Sequence, residues 1–276
     1  MYQKVLTVQD ISCFGQCSLT VALPILSACG METVILPTAI LSNHTAGFKG
    51  FTVHDLTDEL PAIHRQWQEE GIRFDAAYTG YLGSVEEVDS VKAIMDTMLT
   101  EEGLRIVDPA MADNGKLYPA FGQAYVEAMK SLCFSADILL PNITEACLLA
   151  GMEYREQYDR AYIDALLTAL TEKGAKTVVL TGVSYAEGKT GVVVYEEGNY
   201  YYYEHEKIAK GSHGTGDVYA SAFVGAVMNG KNAVEAAKIA ADYTVQCIRN
   251  TQDDPAHWYG VKFEPALPKL IQALEI

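Results

Sequence analysis

The 276-residue sequence predicts an α/β protein, a three-layer α/β/α sandwich with a mostly parallel central sheet and a late antiparallel β-hairpin. Short apolar runs alternate with longer helical stretches along most of the chain, which is the pattern of a layered α/β fold. The short runs are continuously apolar, as parallel strands covered on both faces are. Because the sequence contains no repeat, linker or low-complexity segment, we expect residues 1–276 to form a single domain.

The predicted elements alternate in chain order. Six short apolar runs are interpreted as buried strands, at 4–8, 33–37, 76–80, 105–108, 137–141 and 177–181. A helix is predicted over 84–102, opened by Ser84 and Glu87 at the spacing of a capping box. A second helix is predicted over 159–173, with Asp159 as its N-cap. Further helical stretches fill the remaining gaps between strands.

Residues 182–206 interrupt this alternation. The stretch 190–206 is typical of two strands joined by a turn at E-E-G-N. A hairpin of this kind, late in a chain of alternating strands and helices, indicates an antiparallel sheet edge. The four consecutive tyrosines 200–203 are interpreted as part of a twisted edge strand rather than as a binding surface.

The composition limits the classes of partner. Lys and Arg number 20 against 36 Asp and Glu, a net charge of −16, so we expect neither nucleic acid nor an anionic membrane as a partner. We also expect no signal peptide, because the N-terminal residues form a strand-like stretch without its pattern, and no membrane span, because no apolar run is long enough to cross a bilayer. The six cysteines include no C-x-x-C pair. Reduced thiols in a cytoplasmic protein are the simplest interpretation.

A glycine-rich stretch at 211–217 immediately precedes an apolar helical run. Gly214 and Gly216 allow the backbone to approach a ligand closely, and a helix that begins near Thr215 directs N–H groups and the positive end of its dipole at an anion. Asp217, in the first turn, is expected to be ionised at neutral pH. Phosphoryl transfer needs such N–H donors beside a carboxylate that accepts the proton of the attacking hydroxyl. Alone, G-T-G-D would more simply be a loop with a favourable acidic residue at a helix start.

Acidic residues also follow two predicted strands. Asp108 lies at the carboxyl end of one, and Asn142 and Glu145 lie at a strand-to-helix junction. Ligands of open α/β sheets bind outside the carboxyl ends of strands, and Mg²⁺ usually takes one or two protein carboxylates plus water. Singly, Asn142 or Thr144 would be a helix cap and Asp108 a turn residue. Beside a glycine-rich anion site, the three acidic positions 108, 145 and 217 favour a kinase.

These motifs and others follow one another as in a known family. The matching segments run along nearly the whole chain and are Gln9 with Gly15, S-N-H-T at 42–45, G-Y-L-G-S at 80–84, D-P at 108–109, N-x-x-E at 142–145 and G-T-G-D at 214–217. The chain thus resembles the ribokinase-type superfamily of small-molecule kinases and, within it, the vitamin B6 (pyridoxal/pyridoxamine) kinase family. The last two motifs occur across the superfamily, whereas S-N-H-T and G-Y-L-G-S are more specific to the B6 branch.

The resemblance implies an enzyme that uses ATP to phosphorylate the 5′-hydroxymethyl group of a B6 vitamer, with Asp217 as the base and Mg²⁺ near Asp108 and Glu145. It implies an anion hole made of the backbone amides of Gly214, Thr215 and Gly216. The residues expected around the vitamer are Asp10, Ser12, His44, Thr45 and Tyr81. The residues expected near ATP are Asn142, Glu145, Thr181, Gly182, Gly214 and Gly216. The partners are then the vitamer and ATP, and we expect a homodimer.

Two departures from the B6 pattern bear on the substrate. Asp10 stands where pyridoxal kinases typically have Ser, and an Asp-x-Ser in this loop is similar to the hydroxymethylpyrimidine kinases of thiamine synthesis. Residues 110–113 are A-M-A-D where V-M-G is usual. We expect the Asp10 side chain to reach the crevice at the carboxyl end of the sheet and to pair with a protonated ring nitrogen.

Three alternatives stay open at this point. The chain could be a hydroxymethylpyrimidine (phosphate) kinase, or a kinase with dual specificity. It could also be a catalytically silent ligand-binding protein, because a fold does not dictate its function.

Overall fold

The computed structural model describes residues 2–208 and 213–276. Its strands are β1 (Lys4–Ser12), β2 (Glu32–Leu41), β3 (Val53–Asp55), β4 (Phe74–Thr79), β5 (Leu99–Val107), β6 (Ala112–Asp113), β7 (Lys116–Leu117), β8 (Ile138–Leu139), β9 (Thr177–Val183), β10 (Lys189–Glu196) and β11 (Asn199–Glu206). Its helices are α1 (Leu19–Ala28), α2 (Leu60–Glu69), α3 (Val85–Met98), α4 (Gln123–Cys133), α5 (Ile143–Ala150), α6 (Arg160–Glu172), α7 (Thr215–Met228), α8 (Ala233–Thr251) and α9 (Leu267–Leu274).

The central sheet of the described residues has nine strands in the order β11-β10-β9-β8-β5-β4-β1-β2-β3. The six strands from β9 to β2 run parallel, whereas β10 and β11 at one edge and β3 at the other pair antiparallel. From β1 the chain passes to β2 on one side and later to β4 on the other. The connections diverge there, and a crevice opens at the carboxyl ends of the strands at such a point.

Helices cover both faces of the sheet, which confirms the predicted three-layer α/β fold. Helices α2 to α6 pack on one face, where Leu6, Val8 and Leu166 belong to the core. Helices α1, α7, α8 and α9 pack on the other face, where the core includes Tyr78 and Phe223. In the part of the chain that the structure describes, no helix combines the length and the apolar composition needed to cross a membrane.

The predicted strands are present, but several of their boundaries differ. The helix predicted over 84–102 ends at Met98, because Leu99 takes an extended conformation (φ −75°, ψ 151°) and pairs with Phe74 in β4. The strand predicted at 105–108 is therefore only the last part of β5. β1 continues beyond its predicted end at residue 8 as far as Ser12, because its pairing with β2 continues there.

The late hairpin is confirmed as β10 and β11. Glu197 and Gly198 connect these strands and both have positive φ, 51° and 83°. This is the conformation of a two-residue turn whose twist matches that of the flanking strands. Tyrosines 200–203 lie in β11, the edge strand of the sheet, as predicted.

The two predicted helix caps have different outcomes. Asp159 accepts a hydrogen bond from the N–H of Tyr162 over 2.9 Å and is the N-cap of α6, as predicted. Ser84 likewise caps α3 by accepting from the N–H of Glu87 over 3.1 Å. The reciprocal half of the capping box is wrong, because the Glu87 carboxylate accepts instead from the N–H of Gly83.

Candidate active site

The predicted site residues lie at the carboxyl edge of the parallel strands. Asp10 is near the end of β1, Asp108 directly follows β5, and Thr181 is near the end of β9. Asn142, the N-cap of α5, forms an isolated bridge with Thr181. Gly182 follows as an exposed residue with φ 76°. The tertiary fold therefore gathers residues that are spread over most of the sequence.

Helix α7 brings its N-terminal turn to the same edge. Gly214, its N-cap, has φ 75°, and a Cβ at this position would overlap the carbonyl oxygen of Gln16. Only glycine suits such a position. At Gly216, by contrast, a Cβ would have no atom within 4 Å. The first residues of the predicted glycine-rich stretch, Gly211 and Ser212, lie outside the described residues.

Asp217 lies in the first turn of α7 and is half-buried. Its Oδ2 accepts a hydrogen bond from the N–H of Ser18 over 2.9 Å. Burial raises the pKa of Asp217 to about 6, the Ser18 N–H opposes this rise, and the charge of Asp10 adds to it. The carboxylate is mostly ionised at neutral pH, as predicted, but with a pKa raised rather than lowered by its surroundings.

Glu145 completes a capping box at the start of α5. Asn142 Oδ1 accepts from the N–H of Glu145 over 3.0 Å, and Glu145 Oε2 accepts from the N–H of Asn142 over 2.9 Å. Glu145 Oε1 also accepts from the N–H groups of Met111 and Ala112 over 3.1 and 3.4 Å. The helix-cap interpretation of Asn142 is therefore confirmed, and the Glu145 carboxylate also anchors the segment after Asp108.

Asp108 and Glu145 are two carboxylates that influence each other's ionisation. Burial raises the pKa of both, and the charges of Glu145 and Asp217 raise that of Asp108 further. Among residues 2–208 and 213–276, no Lys or Arg forms an ion pair with Asp108, Glu145 or Asp217. In the same residues no group of three or more His, Cys, Asp or Glu side chains could hold a metal ion. The pair fits Mg²⁺ that takes its remaining ligands from water and phosphate oxygens.

Asp10 is a buried carboxylate, 5% exposed, that is held by two serines. Its Oδ1 accepts from the hydroxyl of Ser18 over 2.6 Å, and its Oδ2 accepts from the hydroxyl of Ser12 over 3.0 Å. Burial raises the pKa of Asp10, and the two serine hydroxyls partly oppose that rise. Such a carboxylate is favourably placed for a cationic partner, because a positive charge would restore its ionisation.

His44 and Thr45 of the S-N-H-T segment differ in exposure. Thr45 is exposed, whereas His44 is 4% exposed and packs against Gly15, where a side chain would overlap its ring. His44 Nδ1 lies 3.2 Å from the N–H of Ala46, and its Nε2 lies 2.8 Å from the carbonyl oxygen of Tyr259. These partners select the neutral tautomer with the proton on Nε2, and burial lowers the pKa of His44 accordingly.

Tyr81 of the G-Y-L-G-S segment is half-buried beside this crevice. Burial and the charges of Asp10 and Glu87 raise its pKa to about 12, so the phenol remains protonated. Its ring lies 5.4 Å from that of Phe121, measured between centroids. Tyr81 therefore presents an aromatic ring and a hydroxyl close to the buried Asp10.

Comparisons with known proteins agree with this geometry. A family model described as phosphomethylpyrimidine kinase matches residues 22–260. The chain belongs to the phosphomethylpyrimidine kinase family. A crystal structure of a Bacteroides thetaiotaomicron protein described as a phosphomethylpyrimidine kinase, in a form with pyridoxal, is 34% identical, with coverage of 98% of this chain and 96% of that chain and a TM-score of 0.92.

Two further relatives carry names from two different substrate classes. Pyridoxal kinase from Lactobacillus plantarum is 31% identical, with coverage of 100% of this chain and 99% of that chain and a TM-score of 0.92. The hydroxymethylpyrimidine/phosphomethylpyrimidine kinase of Bacillus subtilis is 27% identical over 226 residues, 80% of this chain and 79% of that protein. The predicted membership of the ribokinase-like superfamily and of its B6 kinase branch is confirmed, and the protein is a kinase.

The sequence did not predict one residue of this site, Ser18. Ser18 is buried and has positive φ (56°), and it donates its N–H to Asp217 and its hydroxyl to Asp10. It lies 199 residues from Asp217 in the sequence. No local pattern marks such a residue, because its role depends on two partners from other elements.

Proposed function

We propose that this kinase transfers the γ-phosphoryl group of ATP to the 5′-hydroxymethyl group of a B6 vitamer, which is pyridoxal, pyridoxamine or pyridoxine. The observation that carries the proposal is the half-buried Asp217 carboxylate in the first turn of α7, at the positive end of the helix dipole. The vitamer is supported by the Bacteroides relative, which is 34% identical and described in a crystal form with pyridoxal.

Asp217 is the proposed general base. A carboxylate with a pKa of about 6 is mostly ionised at pH 7, yet it is a stronger base than an ordinary aspartate. It accepts the proton of the hydroxymethyl group as the hydroxyl oxygen attacks the γ-phosphorus and the bond to the β-phosphate oxygen breaks. The Ser18 N–H holds Oδ2 and thereby orients the carboxylate.

The anion hole and the metal site hold the charge of the phosphates. The backbone amides of Gly214, Thr215 and Gly216 face the place where charge develops on the transferred group. Asp108 and Glu145 would hold Mg²⁺, directly or through water. When bound, Mg²⁺ supplies positive charge that stabilises the phosphate oxygens. The residues proposed to lie along the ATP phosphates are Asn142, Thr181 and Gly182.

The vitamer ring is proposed to bind between Asp10 and Tyr81, with Ser12, Thr45 and His44 around it. The buried Asp10 carboxylate pairs with the protonated ring nitrogen, and this ion pair offsets the cost of burying the charge. His44, locked between Ala46 and Tyr259, shapes the wall of this pocket rather than exchanging protons.

A steady-state assay coupled to ADP formation tests the proposal. Purified protein is assayed with pyridoxal, pyridoxamine, pyridoxine and hydroxymethylpyrimidine, each at saturating ATP and Mg²⁺. We expect kcat/KM to be highest for a B6 vitamer. An Asp217→Asn sample purified in parallel controls for a contaminating kinase. Turnover of none of the four compounds would contradict the proposal and favour a silent ligand-binding protein.

Hydroxymethylpyrimidine kinase is the second candidate function, and a dual-specificity kinase is its variant. The family model and the Bacillus subtilis relative carry this description. In this chain the Asp10-x-Ser12 pattern favours it, because it is similar to the pattern of hydroxymethylpyrimidine kinases; the two side chains are buried and hydrogen-bonded to each other. In the same assay, a higher kcat/KM for hydroxymethylpyrimidine selects this alternative.

A further inference from the structure

Glu87 is a buried carboxylate that neither the proposed chemistry nor its own helix requires. Its side chain is 1% exposed. Ser84 already caps α3, so the carboxylate of Glu87 is available to other partners. Its Oε2 accepts from the N–H of Gly83 over 2.6 Å, and its Oε1 accepts from the hydroxyl of Thr57 over 3.0 Å. Glu87 thus joins the segment after β4 to the segment after β3.

The segment 80–84 carries Tyr81, and hydrogen bonds hold its main chain on both sides of that residue. The N–H of Gly80 donates to β1 over 3.2 Å, and the carbonyl oxygen of Leu82 accepts from the hydroxyl of Tyr125 over 2.7 Å. Glu87 supplies the next anchor, at Gly83. The position of the Tyr81 ring therefore depends on contacts that are made by α3 and α4.

The second partner of Glu87 lies beyond the edge strand of the sheet, after β3. Thr57 follows β3, which pairs with the end of β2, and the S-N-H-T segment connects these two strands. A single carboxylate therefore joins the segment that carries Tyr81 to the segment that follows β3. A short apolar side chain in place of Glu87 would leave the Gly83 N–H and the Thr57 hydroxyl without this acceptor.

The charges around Glu87 favour its neutral form. Burial raises its pKa to about 7; the Gly83 N–H and the Thr57 hydroxyl oppose the rise, and the charges of Asp55 and Asp10 add to it. The other titratable groups that face it are Tyr81 and Tyr125, on the neighbouring segment and on α4. In the described ranges no Lys or Arg pairs with Glu87. Near neutral pH a proton can therefore bind to the carboxylate, which removes its charge and turns one of its two acceptors into a donor.

We propose that Glu87 is a positioning residue of the substrate pocket, which joins Gly83 to Thr57 and thereby holds Tyr81 against the ring of the substrate. This inference rests on the proposed function, because it assumes that the ring binds beside Tyr81. Glu87 does not touch the reacting atoms. Its loss should therefore weaken ring binding without slowing phosphoryl transfer.

The test measures pyridoxal binding by calorimetry, together with KM and kcat, for Glu87→Ala and Glu87→Gln. We expect Glu87→Ala to raise Kd and KM for pyridoxal about tenfold through the loss of two hydrogen bonds, with kcat and the KM for ATP nearly unchanged. Glu87→Gln should restore most of the binding, because its amide oxygen can accept from Gly83 and its NH₂ can donate to Thr57, although without the charge that strengthens both hydrogen bonds. Glu86→Gln, an exposed neighbour on the same helix turn, is the matched control.

A pH series separates positioning from a purely structural role. The Gln variant stays neutral at every pH, whereas a protonated Glu87 makes the same two hydrogen bonds as Gln, so the ratio of the wild-type KM to the Glu87→Gln KM should be below one at pH 8 and should increase toward one as the pH falls to 6. An unchanged pyridoxal Kd in a folded Glu87→Ala would overturn the inference, and so would equal changes in kcat and both KM values. If Glu87→Ala does not fold, a ratio of the wild-type KM to the Glu87→Gln KM that does not change with pH overturns it. If the unaltered protein binds no pyridoxal, the proposed function fails and this inference fails with it.

Discussion

The N–H of Ser18 donates to Oδ2 of Asp217 over 2.9 Å, across 199 residues of sequence. The hydroxyl of the same serine donates to Asp10 over 2.6 Å. Ser18 therefore connects the proposed base to the proposed ring-binding carboxylate, and it does so from the residue that precedes α1. Because Ser18 has positive φ, its N–H and its side chain reach two different elements.

Asp217→Asn tests the general base. Asparagine keeps an oxygen that can accept from the Ser18 N–H, so the turn should be retained while proton acceptance is lost. We expect kcat to fall by about 10²–10⁴-fold, with ATP affinity unchanged by calorimetry. Asp89→Asn, an exposed change on α3, is the control and should behave as wild type. Wild-type turnover by Asp217→Asn would remove Asp217 from the mechanism.

The pKa of Asp217 predicts an acid limb in the pH profile of kcat. The folded pKa is raised to about 6, and the ionised form is the active one, so activity is full above that value and is lost as the pH falls through it. Below the pKa, kcat should fall about tenfold per pH unit. Saturating pyridoxal and ATP are used at each pH, so that changes in binding do not contribute. A kcat that stays level from pH 7 to pH 5 contradicts a base with this pKa.

Two glycine substitutions at the start of α7 should have different effects. In Gly214→Ala the added methyl group would overlap the Gln16 carbonyl oxygen, and the residue would have to keep a positive φ. The substitution should therefore reduce the free energy of unfolding by about 1–3 kcal/mol. Gly216→Ala meets no atom within 4 Å, so its melting temperature should stay near that of wild type while kcat/KM for ATP falls. Thermal unfolding and kinetics of both variants are compared. Normal ATP kinetics in Gly216→Ala would argue against an anion hole at this turn.

Glu145→Gln separates metal binding from helix capping. Glutamine can accept main-chain N–H groups only through its amide oxygen, its NH₂ group faces the N–H donors on the other side, and it lacks the charge that would hold Mg²⁺. We expect the Mg²⁺ concentration for half-maximal rate to rise several-fold, with a stability loss of about 1–3 kcal/mol from the unsatisfied buried donors. Glu235→Gln is the control, because Glu235 forms the same kind of capping box with Asn232, the N-cap of α8, away from the site. A magnesium titration identical to wild type would leave Glu145 as a cap alone.

Asp10→Asn tests the contact with the ring nitrogen. A charge-assisted hydrogen bond contributes about 1.5–3 kcal/mol, so the KM for the vitamer should rise roughly ten- to a hundredfold. The contact is remote from the reacting hydroxyl, and kcat and the KM for ATP should hardly change. Ser12→Ala removes one hydrogen bond to Asp10 but keeps the charge, and should have a smaller effect. A loss of kcat at constant vitamer KM would place Asp10 in the chemistry or in the fold of its loop.

The sequence by itself determined the layered α/β fold, the strand segments and several helix starts. Apolar runs predict buried strands because parallel strands are covered on both faces. Asp159 and Asn142 are recognisable caps because each accepts a hydrogen bond from the N–H of a residue only three positions away. The G-T-G-D motif likewise places Asp217 in the first turn of a helix, which depends only on neighbouring residues.

Only the tertiary structure decided which of these residues meet and in which state of ionisation. Glu87 bonds Gly83 and Thr57 instead of completing its capping box, because burial brings those donors to its carboxylate. His44 is locked as a neutral tautomer by a carbonyl 215 residues away. The raised pKa of Asp217 comes from burial, which the tertiary fold imposes, and from the charge of Asp10, which lies far away in the sequence. Hydrogen bonds and desolvation act through space, so they follow from how the chain folds rather than from local order.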